Sequence, residues 1–501
     1  MRSIKRREFL GLSAGATAAI LLSQCSKAQT QGSTASPTLL PGRVINSQGG
    51  LLSLDLEANV QPVPLGNRRA NLLTFNGQMP GPRLEAKPGD TVQIRFTNRL
   101  NQPTNLHYHG LHVTPQGNAD NIFLSVPPGE RLTYEFTLPA DHPAGTFWYH
   151  PHHHGHVAEQ LFGGLAGLFI VRGELDELPE IKAAQEAFMV LQDFDITRAG
   201  DIAAPNPMAM MMGREGPIVT VNGQVNPGLA IPQGGLLRLR LLNASPARFY
   251  RLQLEGHTLH LVATDGGAIA APIELSELLL APGERAEVLV QGNREPGQYR
   301  LLNLPYDRGG MMMGGGMGMG GGGMGGMNHS MGNMPHQSGG DTAQPLATLT
   351  YDGSVAALPL PQQLGRVDPL PEPTVTRRLE LSMAMGPGMS MAFLFNGKTF
   401  DEQRIDITPT LNTIEEWELA NVDPDRMDHP FHLHVNPFQV ISRNGQPEPY
   451  QAWKDTVLVK GNEAVRIRIP FRTFTGKTVY HCHILDHEDL GMMGTVDIQP
   501  A

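Results

Sequence analysis

The sequence predicts an all-β protein made of three β-sandwich domains in tandem. Three segments each start with an apolar residue and an Asn-Gly pair, which indicates a turn, and an alternating apolar and polar stretch follows. Alternation with a period of two is typical of half-buried strands. Gly (57) and Pro (41) are abundant among the 501 residues, as expected for short strands joined by turns. The turns are Asn76-Gly77, Asn222-Gly223 and Asn396-Gly397, and the strands are 91–96, 237–241 and 413–419, which end near Asn98, Asn243 and Asn421.

The spacing of these repeats predicts domains at 48–175, 185–355 and 375–499. The second spacing is longer than the first because residues 309–340 form a low-complexity insertion rich in Gly and Met, with nine of the 23 methionines. Such a composition cannot bury enough apolar surface to order itself, so we expect a mobile loop on the middle domain. Helical periodicity is weak, and the best short helix candidate is 180–187, just after Pro179.

The N-terminus, residues 1–28, is predicted to be a signal peptide of the twin-arginine type. Arg6-Arg7 precede a weakly apolar stretch, 9–22, that is shorter than the roughly 20 residues needed to span a bilayer. We therefore expect a periplasmic or secreted protein, cleaved after Ala28. Lipid attachment at Cys25 is the less favoured alternative, because Gln24 lies where a small residue is usual.

Composition excludes two classes of protein. The net charge is −10 and no basic run occurs beyond the first seven residues, so nucleic-acid binding is not expected. The chain has only two cysteines, which excludes a disulfide framework. Cys482 is therefore the one cysteine in the predicted folded body, and it is a candidate for chemistry.

Four short histidine clusters dominate the candidate chemistry. Alternate residues of a strand point to the same face, so each His-x-His pair directs two imidazoles to one side. A lone pair of this kind is often a hydrogen-bonded pair or a zinc site. Eight neutral imidazoles suit several borderline metal ions, and copper is favoured by affinity and by ligand type. The four pairs are His107 and His109, His150 and His152, His432 and His434, and His481 and His483.

The fourth pair encloses Cys482, which should face the opposite side of the strand. A second metal site can then form behind the strand from His429, Cys482, His487 and the weak thioether ligand Met492. Two histidines, a cysteine and a distant methionine are the ligands of a blue-copper electron-transfer site. Peptide bonds join Cys482 to both neighbouring histidines, so a short covalent path is expected between the two sites.

These motifs resemble those of the multicopper oxidase family over residues 50–499, and in particular its three-domain bacterial laccase-like and copper-efflux members. The resemblance implies three cupredoxin-like Greek-key β-sandwich domains, four copper ions, and a middle domain that acts as a spacer. It also implies how the ligands divide among the copper types. Type 2 would use His107 and His432, type 3 would use His109, His150, His152, His434, His481 and His483, and type 1 would use His429, Cys482, His487 and Met492.

The same resemblance implies that Glu488 and Asp120 deliver protons and that Cys482, His481 and His483 carry electrons. The alternative for both acids is a solvated loop carboxylate. The remaining histidines have no matching role and are expected to be structural or at the surface, and for three of them support of the neighbouring ligands is an alternative. The three are His153, His154 and His156, and the others are His112, His142, His257 and His260.

The implied reaction couples four one-electron oxidations of a reductant to the reduction of dioxygen to two waters. Phenols, aromatic amines and Cu(I) are the candidate reductants, and no partner protein is needed. The alternative is a periplasmic copper-sequestering or copper-tolerance protein with incidental oxidase activity. Thioethers prefer Cu(I), so the methionines of 311–334, 208–212 and 383–391 favour copper recruitment, and an extra Cu(I) site at the Met-rich loop is left open.

Overall fold

The structure is a computed structural model that describes residues 36–310, 342–385 and 391–501. Its regular structure is almost all β, as predicted. The expected signal peptide, 1–28, and residues 311–340 of the insertion lie outside the described residues. Among the residues that are described, no helix combines the length and apolar content required to cross a membrane.

The first sandwich packs a five-stranded sheet, in the order β1-β4-β9-β8-β6, with a four-stranded sheet, in the order β3-β2-β5-β7. Its strands are β1 (Val44–Asn46), β2 (Leu51–Leu65), β3 (Arg68–Phe75), β4 (Arg83–Ala86), β5 (Thr91–Asn98), β6 (His107–His109), β7 (Arg131–Thr137), β8 (Gly145–His150) and β9 (Gly167–Val171). Alternate residues of β5, Val92, Ile94 and Phe96, are buried in the core. This alternation is the pattern from which the strand was predicted.

The middle sandwich has sheets in the orders β11-β10-β13-β18-β15-β16 and β12-β20-β19-β14-β17. Its strands are β10 (Gln185–Phe194), β11 (Ile218–Val221), β12 (Gly228–Gln233), β13 (Leu236–Asn243), β14 (Tyr250–Leu254), β15 (Leu259–Thr264), β16 (Gly267–Leu275), β17 (Leu278–Leu280), β18 (Arg285–Gln291), β19 (Gln298–Leu304) and β20 (Gln344–Ser354). Strand β20 follows the insertion and pairs with β19, so the insertion connects two neighbouring strands.

The third sandwich has sheets in the orders β22-β21-β23-β29-β25-β26, with β27 beside β25, and β28-β24-β30-β31. Its strands are β21 (Val375–Met385), β22 (Met391–Phe395), β23 (Thr413–Asn421), β24 (His429–Leu433), β25 (Phe438–Arg443), β26 (Gln446–Pro447), β27 (Trp453–Lys454), β28 (Thr456–Val459), β29 (Ala464–Phe471), β30 (Gly476–Cys482) and β31 (Met493–Ile498). The second of these sheets carries His429, His432, His481 and Cys482.

Five short helices lie among the described residues: α1 (Val157–Phe162), α2 (Glu174–Glu177), α3 (Pro179–Ala183), α4 (Pro207–Met212) and α5 (Leu485–Asp489). The helix expected at 180–187 ends at Ala183. From Gln185 the chain instead forms β10, which pairs in parallel with β13. Pairing with the sheet therefore overrides the local helical pattern.

The three domains repeat the same two asparagine corners. At the first corner the Asn-Gly asparagine has a positive φ, and its Oδ1 atom accepts the backbone N–H of a strand residue. The donors are Glu57 to Asn76 (2.7 Å), Val190 to Asn222 (2.8 Å) and Glu380 to Asn396 (2.8 Å). The identical bonding explains why this dipeptide recurs in the sequence.

At the second corner the asparagine ends a central strand and bonds to both sides of the loop that follows. Its Nδ2 atom donates to two carbonyl oxygens, and its Oδ1 atom accepts the N–H of the residue two positions later. The three asparagines are Asn98, Asn243 and Asn421. In the third domain the residue held in this way is Asp423, which lies beside the second metal site described below.

Candidate metal centres

The four predicted histidine pairs converge between the first and third domains into one buried site, here called the eight-imidazole site. Each pair lies on a strand or directly at its end, so the sheets of the two domains set the positions of the rings. None of the eight side chains is more than 1% exposed. The members are His107 and His109 on β6, His150 and His152 at the end of β8, His432 and His434 at β24, and His481 and His483 at the end of β30.

Rings from the two domains lie in direct contact. His107 stacks on His434 with a centroid distance of 3.9 Å, and His109 stacks on His432 at 3.8 Å. The Nε2 atom of His481 lies 3.1 Å from the Nε2 atoms of both His152 and His434. Three nitrogen donors from three different strands thus meet at one point, and the site needs both domains.

Most of these histidines have a buried ring nitrogen with no hydrogen-bond partner among the described residues. The atoms are His107 Nε2, His109 Nδ1, His150 Nε2, His152 Nδ1, His432 Nε2, His434 Nδ1 and both ring nitrogens of His483. A buried polar atom without a partner costs about 1–3 kcal/mol. Eight such atoms in one site indicate a metal centre, and a set of imidazole nitrogen donors fits copper.

The electrostatics of the site keep several of its imidazoles neutral, which is the form that binds a metal. Burial, followed by repulsion between neighbouring histidines, holds the pKa of His107 and of His483 well below the ordinary value. Burial likewise lowers the pKa of His152, to about 4, although the Glu488 carboxylate opposes this shift. At neutral pH these rings are therefore uncharged donors.

Both predicted acids are buried against the site and are not solvated loop carboxylates. Asp120 Oδ1 lies 2.9 Å from His107 Nδ1 and accepts the Tyr108 N–H, and burial raises the pKa of Asp120 to about 8. The Glu488 carboxylate lies 3.0 Å from His481 Nδ1 and 3.5 Å from His152 Nε2. Burial alone would raise the pKa of Glu488, but the two facing imidazoles lower it to about 2.

A third acid, Asp455, also contacts the site and was not predicted from the sequence. Its Oδ1 atom lies 3.0 Å from His109 Nε2. Burial would raise the pKa of Asp455, but the guanidinium of Arg285 outweighs burial and holds the pKa well below its usual range. Arg285 belongs to β18 of the middle domain, so this domain also contacts the carboxylate beside the site. No spacing or motif in the sequence marked either residue.

The cysteine and its predicted partners form a second site, here called the Cys482 site, behind β30. The Cys482 Sγ atom lies 3.6 Å from His429 Nδ1 and 3.7 Å from His487 Nδ1, and all three side chains are fully buried. Burial raises the pKa of Cys482, which disfavours a free thiolate, so a bound cation is needed to stabilise it. The Nε2 atom of His429 lies 3.1 Å from Asp423 Oδ2, which fixes the ring with Nδ1 directed to the sulfur.

Met492 is fully buried and packs in the same apolar core as Cys482. The two residues are also joined through the backbone, because the Cys482 N–H donates to the Met492 carbonyl oxygen at 3.0 Å. The adjacent Met493 packs instead with Ile122 and Val479 in a separate cluster. Of the two methionines, Met492 is therefore the one placed with the Cys482 site.

The outer edge of His487 is covered by the methionine-rich helix α4. The Nε2–H of His487 donates to the main-chain oxygen of Met211 at 3.0 Å, and Phe393 stacks on the ring with a centroid distance of 4.0 Å. Met208 and Met210 of the same helix are 50% and 37% exposed. The methionine cluster of 208–212 was noticed in the sequence, but its position over His487 was not predicted.

The remaining histidines are not part of any group of described residues that is suited to hold a metal. His112 bonds to the Val435 carbonyl oxygen, and His257 lies 2.9 Å from the Tyr351 hydroxyl oxygen, which are structural roles. His153 lies 3.0 Å from the Ser125 hydroxyl oxygen and borders the eight-imidazole site without joining it.

Comparison with known families decides the classification. Models of the multicopper oxidase family match residues 58–176, 189–312 and 371–501, which is one match for each sandwich. The chain belongs to the multicopper oxidase family. This multicopper oxidase resembles the Campylobacter jejuni multicopper oxidase described as a metallo-oxidase, with 30% identity, a TM-score of 0.79, and coverage of 93% of this chain and 95% of that one. Its sandwiches are therefore cupredoxin-like domains, and its sites are suited to copper.

Other relatives of this multicopper oxidase carry different names. The laccase-like CueO of Ochrobactrum sp. shares 29% identity and a TM-score of 0.75, over 93% of this chain and all of that one. Multicopper oxidase mco of Staphylococcus haemolyticus is 29% identical over 86% of this chain and 85% of its own length. The cell division protein FtsP of Photorhabdus laumondii is 30% identical over 100% of this chain and 99% of its own length.

Proposed function

We propose that this multicopper oxidase removes electrons one at a time from a reductant and uses four of them to reduce dioxygen to two waters. One observation carries the proposal: Cys482 belongs to one candidate metal site, and its two chain neighbours, His481 and His483, belong to the other. Bound copper would supply one-electron redox chemistry at both sites and the place where dioxygen is reduced. The backbone of 481–483 supplies the covalent connection between them.

We assign four copper ions to the two sites, following the family pattern. The Cys482 site would hold type 1 copper through His429, Cys482, His487 and Met492. In the eight-imidazole site, His107 and His432 would hold type 2 copper, and the remaining six histidines would hold the type 3 pair. The buried ring nitrogens without partners support this assignment, because they need a ligand that the described protein atoms do not supply.

Glu488 and Asp120 would handle protons beside the eight-imidazole site. Glu488 faces two of the imidazoles, so its carboxylate is placed to relay protons to the position where oxygen would be reduced. Asp120 accepts a hydrogen bond from His107 Nδ1 and so leaves Nε2 of that ring for the metal. The two acids contact different rings of the site, Asp120 that of His107 and Glu488 those of His481 and His152.

The reductant is proposed to be Cu(I), a phenol or an aromatic amine, and the covering of His487 favours the small metal ion. A bulky phenol has no direct access to the ring edge while Met211 occupies it. Exposed thioethers on α4 are soft ligands suited to Cu(I). Gly310, the last described residue before the Met-rich run, lies against Met212 of α4.

One alternative function is copper sequestration with incidental oxidase activity. The relatives named as cell division proteins add a second alternative, a role in cell division. A sequestering protein has no need of a cysteine that joins two sites, so the position of Cys482 favours the oxidase. Purified protein that binds copper but takes up no oxygen with either Cu(I) or a phenol would support the alternatives.

The deciding variant is Cys482→Ser. We expect it to lose the blue absorption of the type 1 copper and almost all reductant-driven oxygen uptake, while metal analysis still finds the other three coppers. A blue band that persists in Cys482→Ser would overturn the type 1 assignment, and undiminished oxygen uptake would overturn the electron path.

Export is proposed to follow the twin-arginine pathway, which delivers proteins already folded. Replacing Arg6 and Arg7 by lysine should then leave the precursor in the cytoplasm, as judged by fractionation. Normal export of that variant would point to another pathway. The cleavage position is testable by N-terminal sequencing of the mature protein, which should begin after Ala28 unless Cys25 is lipid-modified.

A further inference from the structure

Arg285 is a fully buried arginine of the middle domain whose five N–H donors are all engaged next to the eight-imidazole site. Nη1 and Nη2 donate to the two oxygens of Asp455 at 2.8 and 2.5 Å. Nε donates to the Thr146 carbonyl oxygen at 3.0 Å, and the other two donors reach the carbonyl oxygens of Gly283 and Asp265. The guanidinium therefore joins all three domains at one point.

The carboxylate that Arg285 holds contacts a histidine of the site directly. Asp455 Oδ1 lies 3.0 Å from Nε2 of His109. A carboxylate only accepts hydrogen bonds, so Nε2 of His109 carries the hydrogen and Nδ1 is left with its lone pair. Nδ1 is also the His109 nitrogen without a protein partner among the described residues. The ion pair thus determines which nitrogen of His109 is free.

The chain around His109 is shaped to admit this ion pair. Gly110 follows His109 with a φ of +86°, and a Cβ atom there would clash with Arg285 Nη2 and Asp455 Oδ2. Any other residue at this position would push the ion pair away. The glycine that ends the first histidine motif is therefore explained by the guanidinium of a different domain.

We propose that Arg285 is a positioning residue of the eight-imidazole site, acting through Asp455 to present Nδ1 of His109 to the metal. The proposal rests on the proposed function, because it assumes that this site binds copper. Lysine cannot replace Arg285, since a single ammonium group cannot engage both oxygens of Asp455 and the Thr146 carbonyl oxygen in the same planar arrangement.

The test compares Arg285→Gln and Arg285→Lys with matched changes at Arg238. Arg238 is also a buried arginine of the middle domain, paired with Glu287 and Asp176, and its hydrogen bonds and ion pairs reach none of the eight histidines. The measurements are copper retained against a chelator, the blue band of the Cys482 site, and the urea midpoint of copper-free protein. Outer residues that orient metal ligands typically change metal affinity 10- to 100-fold, so a loss of about tenfold or more is expected at the eight-imidazole site.

Both Arg285 variants should lose copper from the eight-imidazole site and keep the blue band, whereas both Arg238 variants should keep all copper. If Arg285→Gln is not recovered folded, Arg285→Lys makes the same comparison, because it keeps the charge and loses the bidentate contact. Adding Arg285→Gln to Asp455→Asn should cause no further copper loss, since the two residues act as one unit. Wild-type copper retention in Arg285→Lys, equal loss in the Arg238 variants, or additive losses in the double variant would overturn the proposal. Wild-type protein without a blue band or oxygen uptake would instead overturn the proposed function.

Discussion

The Nε2–H of His487 donates to the main-chain oxygen of Met211, 3.0 Å away. The acceptor is a backbone atom of α4, so the contact depends on where the helix lies and not on the Met211 side chain. His487 is the ring of the Cys482 site that contacts α4, whose Met208 and Met210 are exposed. Access to that ring is therefore a property of a short segment of the middle domain.

Replacing 207–212 by two glycines should uncover His487 and raise kcat/KM for a bulky phenol about tenfold, equivalent to about 1.4 kcal/mol of barrier. The matched variant is Met208→Leu with Met210→Leu, which keeps the helix and removes two exposed thioethers. That variant should lower Cu(I) oxidation at low copper concentration and leave phenol oxidation unchanged. Equal phenol rates in all three proteins would show that α4 does not limit access.

Deleting 311–340 removes nine methionines and two histidines outside the described residues and should leave copper loading intact. If the insertion recruits Cu(I), Cu(I) turnover at low copper should fall while phenol turnover is maintained or rises. Steady-state oxygen uptake measures both rates. Full Cu(I) turnover in the deletion variant would show that the insertion has no recruiting role.

Met492→Leu should raise the reduction potential of the Cys482 site without loss of colour, because a weak thioether donor to the oxidised metal is removed. Redox titration of the blue band measures the change. Met493→Leu is the matched control, since Met493 packs in a different cluster, and its potential should stay at the wild-type value. A shift in Met493→Leu alone would show that the axial ligand has been assigned to the wrong methionine.

Glu488→Gln should lower kcat by roughly 100-fold, the size of a typical general acid contribution, because the amide cannot pass a proton to the site. Reduction of the blue band under anaerobic conditions should proceed at the wild-type rate, since it precedes any step that needs protons. Glu159→Gln, an exposed carboxylate on α1, is the control. Loss of copper from Glu488→Gln would mean that the carboxylate acts on the ligands and not on protons.

Gly283→Ala should disturb the eight-imidazole site from the middle domain. Gly283 has a φ of +84°, and a Cβ atom there would lie 2.8 Å from the His483 ring. Gly129→Ala separates backbone strain from this contact, because Gly129 has a φ of +83° and no described atom within 4 Å of the added Cβ. We expect loss of copper and of oxygen uptake only in Gly283→Ala, measured by metal analysis and oxygen consumption. Similar copper contents in the two variants would exclude a role for the contact.

Copper-free protein should lose stability as the pH falls below the ordinary histidine pKa of about 6.5. Burial lowers the pKa of site histidines such as His107 and His483 in the folded state, and that of His152 to about 4, so the unfolded state takes up protons first. Each such histidine should remove about 1 kcal/mol of unfolding free energy between about pH 7 and about pH 5.5. Urea unfolding at the two pH values measures the total loss of unfolding free energy. His152→Asn should reduce this loss by the contribution of one histidine, about 1 kcal/mol. An unfolding free energy that does not change with pH would contradict the buried neutral imidazoles.

The parts of the molecule that were predicted from sequence depend on local spacing. Each His-x-His pair could be assigned to one face of a strand, because side chains alternate between the two faces. The Asn-Gly corners recur because each makes the same hydrogen bonds to the backbone. The unpredicted parts depend on long-range contacts. Met211 and His487 are 276 positions apart, and His109 and Asp455 are 346 apart, so no local pattern links them. The helix expected to continue to 187 fails for the same reason, because pairing of β10 with β13 is not visible locally.

The second asparagine corner has a consequence for where metal ligands can be placed in this fold. The same set of side-chain hydrogen bonds anchors the loops after Asn98, Asn243 and Asn421, yet only the last loop leads to a histidine that faces a cysteine. The asparagine hydrogen bonds therefore form with loops of different sequence. Metal-binding residues in such a loop can therefore differ while the side-chain hydrogen bonds that anchor the loop to its sandwich stay the same. For the same reason, the loop after Asn243 of the middle domain is a candidate position for grafting a copy of residues 421–429.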